Sequence, residues 1–193
     1  MIQKGVVTNR YKNLDKGWSV GTFIIADNFT YEYLNNHPRV LMRRGRYTND
    51  PMIIAQQDNM VSINAALQID LTGQVAAEAI ANIQWSGTGG ATDYAYGAFH
   101  SKGGKGIVAL TSTAKHGTVS RIVPTLTPGA VVSIQRNIAD YIVTEYGAVR
   151  LRHLPLDQRV KAMISIAVIL PLAFLLGFAV SDYTFHWILM AVL

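Results

Sequence analysis

Short apolar runs, many of them β-branched, recur through the first 150 residues, each bounded by glycine, proline, asparagine or serine. Residues 40–42, 60–63, 107–110, 119–123, 130–134 and 141–144 have the length of buried strands. Residues 26–35, 51–57, 93–101 and 156–166 carry helical spacing instead. Strands mixed with helices predict an α/β domain, an open sheet with helices packed on it. No internal repeat and no low-complexity linker interrupts the pattern. Residues 1–5 read as the last turn of a helix stopped at Gly5. No long apolar run follows them, so they do not form a signal peptide.

The pattern changes near the end. Residues 162–181 carry no charge, and Asp182 is the only charge after them. About 20 apolar residues can span a bilayer core. Arg159 and Lys161 precede the run and would hold the preceding domain on the cytoplasmic side. Pro171 and Gly177 are tolerated in membrane helices. The chain therefore divides into a domain over residues 1–167 and a hydrophobic tail over 168–193. The tail reads either as a C-terminal membrane helix, making residues 162–193 a membrane contact, or as a helix buried against a core.

Composition narrows the chemistry. Half of the 193 residues are apolar and 15% are charged, which excludes a disordered tail protein. The absence of cysteine excludes disulfides, thiolate metal sites and a cysteine nucleophile. His37, His100, His116, His153 and His186 have no ligand spacing, so no metal is expected. The net charge of +5 is unevenly spread. Residues 47–93 hold five acids and no Lys or Arg, whereas 94–139 hold five bases and no acid. An acid-free basic stretch suits a phosphate-bearing partner. No nucleic-acid-binding motif accompanies it, so nucleic acid is set aside.

Four segments could carry chemistry. Asn64 closes a strand, where it either presents its amide to a cleft or bonds its own backbone in a turn. Gly87, Gly89 and Gly90 lie just before a helical pattern; such a loop either cradles an anion or oxyanion or is a flexible turn. Lys102 and Lys105 stand among glycines, as point charges for phosphate or as a solubilising loop. Glu145 ends an apolar strand, where it either faces a cleft or pairs with Arg150 or Arg152.

Taken in order, these pieces resemble the C-terminal half of the acetyl-CoA hydrolase/transferase family. The branch they resemble is the 4-hydroxybutyrate type of acyl-CoA:carboxylate CoA-transferase. The matching segments are 4–9, 49–51, 62–74, 86–93, 103–110, 112–124 and 143–151, and coverage is about residues 1–167. The resemblance implies the fold of a class I CoA-transferase C-terminal domain. It also implies coenzyme A as a substrate and exchange between an acyl-CoA and a small carboxylate through a glutamyl-CoA intermediate. Asn64 and Glu145 would line the acyl and thioester pocket, with residues 87–90 against the thioester and CoA. The phosphate role of Lys102 and Lys105 rests on charge alone.

Three departures accompany the resemblance. The family's nucleophilic glutamate lies in a His-Thr-Glu motif, and none of Glu32, Glu78 and Glu145 stands in one. Similar sequences often carry Asp where Ile138 stands and Gly where His153 stands. After Ala167 they continue with a polar segment, where Val168 begins the apolar tail, so a non-native extension joins the readings of residues 168–193. The chain alone is expected to be inactive, its partner being the family's N-terminal half or a second copy. The alternatives are a non-catalytic, membrane-attached CoA-binding module and a gene remnant.

Overall fold

The computed structural model describes residues 1–168. Its first turn is the predicted helix stop. Gly5 N–H donates to Ile2 O, Val6 N–H donates to Met1 O, and Gly5 has φ +68°. This paired closure around a left-handed glycine is a Schellman ending. A small βαβ unit follows: β1 (Ser19–Gly21), α1 (Asn28–Leu34) and β2 (Val40–Met42), with the two strands parallel. Asp27 caps α1 by accepting the Thr30 N–H at 2.9 Å. Two single-turn helices come next, α2 (Gly45–Thr48) and α3 (Pro51–Ile54). Asp50 caps α3 through the Met52 N–H, and Pro51 takes the first helical position, where its missing donor costs nothing.

The main sheet begins with β3 (Val61–Ala65). The chain then leaves it through β4 (Gln68–Asp70), β5 (Val75–Ala76), β6 (Ala79–Ile80) and β7 (Ile83–Gln84). It returns by the crossover helix α4 (Ala91–His100) into β8 (Lys105–Ala109). A second excursion runs through β9 (Thr113–Ala114), β10 (Val119–Ser120) and β11 (Ile122–Val123) before β12 (Tyr141–Thr144), β13 (Gly147–Arg150) and α5 (Leu156–Ser165). The sheet order is β13-β12-β8-β3. β3, β8 and β12 are parallel, with Asn64, Val108 and Ile142 side by side; β13 is antiparallel to β12. β11 pairs in parallel with β4, whose other neighbour is β5.

Between the sheets and α5 lies the core. Ile69, Val75, Ile134, Ile142, Leu151 and Met163 are fully buried in it. Gly97 sits in the middle of α4, a position that costs roughly 1 kcal/mol relative to alanine. It is required here because a Cβ would lie 2.4 Å from Ile54 Cγ2, so α3 can lie directly on the helix. Asp70 is buried and organises the turn between β4 and β5. Its Oδ1 accepts from Thr72 N, Thr72 Oγ1 and Gln74 N, and its Oδ2 accepts from Gln74 Nε2 at 2.6 Å.

The α/β expectation holds, with local corrections. The run 119–123 is not one strand. Arg121 faces two ways: its N–H continues the β9–β10 pairing to Ser112 O, while its C=O accepts the Ile69 N–H, and β11 joins β4. The run 130–134 is not a strand either. It leaves a turn at Gly129, φ +86°, and only Ile134 forms a bridge, to Val75. The helix predicted over 51–57 stops at Ile54. The apolar run starting at Ala162 supplies the end of α5, which closes at Ser165. Residues 169–193, with the membrane-helix, buried-helix and extension readings of the tail, lie outside the described residues. Among the described residues no helix is long and apolar enough to cross a membrane.

His153 has φ +68° on the exposed turn before α5. A left-handed side-chain-bearing residue costs about 1–2 kcal/mol, and glycine gives back roughly 0.5–1 kcal/mol in unfolded-state entropy. His153→Gly is therefore expected to raise stability by about 0.5–1 kcal/mol. Urea denaturation checks it: an unchanged or lower midpoint contradicts the assignment of strain.

Candidate functional site

Parallel strands bring their carboxyl ends to one edge, and open α/β sheets bind ligands there. The carboxyl edge of this sheet holds Asn64 at the end of β3, the loop 110–112 after β8, and Glu145 after β12. Asn64 is half-buried, and its Nδ2 donates to Ser62 Oγ at 2.8 Å on the same face of the strand. The amide is thus braced by a side chain; it does not close a turn on its own backbone.

Glu145 and Tyr146 form a two-residue turn between β12 and β13, where Thr144 pairs with Gly147. Neither ion pair considered for Glu145 forms. Arg150 reaches the buried Asp140 instead, Nε to Oδ1 at 2.9 Å, and Arg152 lies over the Phe99 ring. The two carboxylate oxygens of Glu145 grip one residue: Oε2 accepts Ser112 N–H and Oε1 accepts Ser112 Oγ–H, both at 2.8 Å. These bonds, the Ser112 backbone N–H foremost, hold the Glu145 carboxyl below its ordinary value, and the Arg121 charge adds to the effect. Arg121 ties the same edge together. Its Nε donates to Leu67 O at 2.9 Å, Nη2 donates to Ala66 O, and Nη1 donates to Thr111 Oγ1 at 2.9 Å. The loops after β3, β8 and β12 thereby form one bonded unit.

The glycine loop approaches from the helix side. The C-terminus of α4 touches the beginnings of β3 and β8, for Ser101 Oγ accepts Met60 N–H and Lys105 N–H donates to Met60 O. A ten-residue helix is about 15 Å long, so its N-terminus, and Gly90 with it, stands at the carboxyl edge. The three glycines are not equivalent. A Cβ on Gly90 would fall 2.4 Å from Asn49 Nδ2, so packing explains that glycine. Gly87 and Gly89 are exposed, and a Cβ on either would meet open space. Among the described residues nothing requires glycine at those two positions.

Lys102 and Lys105 are not part of this grouping. Lys102 lies in the turn after α4, and Lys105 begins β8. β8 alone separates them from the carboxyl edge by about 13 Å. The structure therefore gathers Asn64, Gly87, Gly89, Gly90 and Glu145 at one end and leaves the two lysines at the other. Ser112 and Arg121 are the members that strand-end reasoning missed. Their signal was present: both lie in the segment 112–124 that carries the family resemblance, and Arg121 belongs to the acid-free stretch. Among the described residues no group of three or more His, Asp and Glu could hold a metal ion.

A parallel sheet with a glycine loop at a crossover-helix N-terminus makes the described residues an α/β domain. It belongs to the acetyl-CoA hydrolase/transferase family: the family's C-terminal domain matches residues 27–168. Curated relatives agree. The chain is 45% identical over 167 residues to succinyl-CoA:cyclohexane-1-carboxylate CoA transferase of Geobacter metallireducens. It is 46% identical over 167 residues to 4-hydroxybutyrate coenzyme A transferase of Clostridium kluyveri. Each match takes in 86% of this chain but only 38% and 39% of the relative. The chain thus spans under two-fifths of the length of these relatives. RipA from Yersinia pestis superposes with a TM-score of 0.82 at 45% identity, over 98% of this chain and 40% of that one. A 4-hydroxybutyrate CoA-transferase from Porphyromonas gingivalis gives 0.74 at 40% identity, over 87% and 38%.

The Glu145–Ser112 grip has a pH signature. A carboxylate whose folded pKa is depressed stabilises the fold above its unfolded pKa and loses that contribution as pH falls through the folded value. The stability difference between wild type and Glu145→Gln is therefore expected to shrink as pH drops below the ordinary glutamate range. Ser112→Ala keeps the backbone bond and removes the hydroxyl bond, so the Glu145 pKa is expected to rise part of the way to its ordinary value. Carboxyl-carbon NMR titration reads that shift directly; no shift on Ser112→Ala would show that the hydroxyl bond does not form.

Proposed function

We propose that this chain is the C-terminal part of a CoA-transferase that moves CoA between an acyl-CoA and a small carboxylate, of the acetate or 4-hydroxybutyrate type. In this reading a glutamate outside these 193 residues attacks the thioester carbonyl. An acyl-glutamyl anhydride forms and CoA leaves as the thiolate. The thiolate then attacks the glutamyl carbonyl, releasing the donor's carboxylate and leaving a glutamyl-CoA thioester. An acceptor carboxylate runs the two steps in reverse, so each hard acyl transfer is split in two. Asn64 faces the acyl end, and residues 87–90 lie along the thioester and the adjoining CoA arm. Glu145 is a positioning residue, since both of its oxygens are spent on Ser112. Lys102 and Lys105 are left out of the CoA site.

The observation that carries this reading is the pair of unexplained glycines. Gly87 and Gly89 are exposed, a Cβ on either would meet open space, and both lie just before the N-terminus of α4. Glycine is used where a ligand approaches the backbone closely. A side chain at either position would obstruct the ligand and leave the fold alone.

Gly89→Val is accordingly expected to unfold at the wild-type urea concentration yet bind CoA at least tenfold more weakly by calorimetry. Lys102→Ala combined with Lys105→Ala is expected to leave CoA affinity within twofold. Wild-type affinity in Gly89→Val would remove the ligand from this loop. Separately, the 193-residue chain by itself is expected to show no CoA exchange between acetyl-CoA and a carboxylate, because removing a covalent nucleophile removes the pathway. Turnover by the purified chain would overturn the assignment of the nucleophile to another segment.

A further inference from the structure

The glycine loop lies in the stretch 47–93, which holds five acids and no Lys or Arg. A phosphorylated ligand laid along it needs its countercharge from another segment, and Lys102 and Lys105 stand at the far end of β8. One basic segment does reach the loop. Asn49, which ends α2, has its Nδ2 where a Cβ on Gly90 would go. Asn49 N–H donates to Gly45 O at 2.8 Å, Thr48 N–H donates to Arg44 O at 3.3 Å, and Thr48 Oγ1 donates to Asn49 Oδ1 at 2.9 Å. Thr48 is buried. The turn 44–49 is thus held by its own bonds, and its last side chain is packed on the glycine loop.

Arg43, Arg44 and Arg46 stand at the start of this turn, all three exposed. They are not equivalent. Arg43 is partly neutralised: its Nη2 lies 3.8 Å from Asp15 Oδ1, and its guanidinium lies over the Tyr47 ring, whose hydroxyl donates to Asp15 Oδ2 at 2.7 Å. Among the described residues the ion pairs are Arg43–Asp15 and Arg150–Asp140, so Arg44 and Arg46 have no acidic partner. Two carboxylates lie close in sequence to the turn or the loop. Asp50 is engaged as the cap of α3, accepting Met52 N–H at 2.9 Å, and Asp93 is in the first turn of α4. Arg46 and Asn49 are about one helical turn apart, roughly 5 Å along the axis. Two unpaired guanidinium groups therefore stand within a side chain's reach of a bare glycine loop. Each offers a planar fork of donors that matches the oxygens of a phosphate.

We infer that Arg44 and Arg46 hold phosphate groups at the nucleotide end of CoA while its pantetheine arm passes Gly87 and Gly89. This deepens the reading given above and rests on it. CoA carries a diphosphate and a ribose 3′-phosphate, and the glycine loop supplies no cation to meet either. The turn 44–49 supplies two, and the Asn49 contact with Gly90 fixes where they stand relative to the loop. Arg43 serves the fold instead, through Asp15 and Tyr47. The acid-free stretch 94–139 is not needed for this role: the phosphate-binding charge comes from the other side of the acidic stretch, brought to the loop by the packing of α2 and not by nearness in sequence.

The test is calorimetric titration of the 193-residue chain with CoA, 3′-dephospho-CoA, 3′,5′-ADP and pantetheine. Arg44→Ala combined with Arg46→Ala is expected to keep the wild-type urea midpoint and to weaken CoA about tenfold or more, with pantetheine unchanged. Added salt is expected to weaken CoA less steeply in the double variant than in the wild type, because fewer exposed charge contacts remain to be screened. A loss that persists with 3′-dephospho-CoA assigns the arginines to the diphosphate, and a loss that disappears with it assigns them to the 3′-phosphate; either upholds the proposal. The proposal and the reading beneath it fail separately. Wild-type CoA affinity in the double variant, with Gly89→Val still weakened, overturns the arginine site and keeps CoA on the loop. Loss of 3′,5′-ADP binding in the double variant, with Gly89→Val binding CoA normally, upholds the phosphate site and takes the pantetheine arm off the loop. Equal weakening of CoA and pantetheine in the double variant overturns the proposal, because pantetheine has no phosphate.

Discussion

The site depends on one constraint: β3, β8 and β12 run the same way. Parallel neighbours cannot be joined by a tight turn, so the chain must leave the sheet after each strand and come back to its start. Every departure therefore occurs at one edge and every return at the other. Asn64, the loop 110–112 and Glu145 meet because each follows a strand of the same direction. The same rule sends Lys102 and Lys105 to the opposite edge, since they belong to the return from α4 into β8. Charge alone could not make that distinction.

Direction gathers the loops, and hydrogen bonds then fix them. Arg121 is suited to this task because its planar guanidinium offers several donors in a fixed fork. It binds the carbonyls of Ala66 and Leu67 after β3 and the hydroxyl of Thr111 after β8. Its own N–H holds Ser112 O, and Ser112 in turn is gripped by Glu145 after β12. Three loops that would otherwise move separately share one set of bonds. Strand ends offer few apolar contacts, so charge-assisted bonds of this kind are the available means of ordering them. Ser112 is fully buried whereas Glu145 is exposed, so water reaches the carboxylate but not the serine that it holds.

Much of this was legible in the sequence, and the failures have physical causes. The strand 141–144 and the strand 40–42 were read at their observed bounds, because both are β-branched or aliphatic runs with polar neighbours. The run 119–123 looked like one strand because periodicity does not report where a backbone N–H goes. Arg121 divides it by bonding two partners, Ser112 through its N–H and Ile69 through its C=O. β1 and β13 carry too few apolar residues to announce themselves, and each is defined by pairing to a neighbour. Residue type and strand-end position were enough to place Asn64 and Glu145 at the carboxyl edge. They did not reveal the partner of Glu145, because Ser112 is 33 residues away and bonds through its backbone as much as its side chain. Family resemblance placed the glycine loop. Only coordinates could separate Gly90, which packing demands, from Gly87 and Gly89, which it does not.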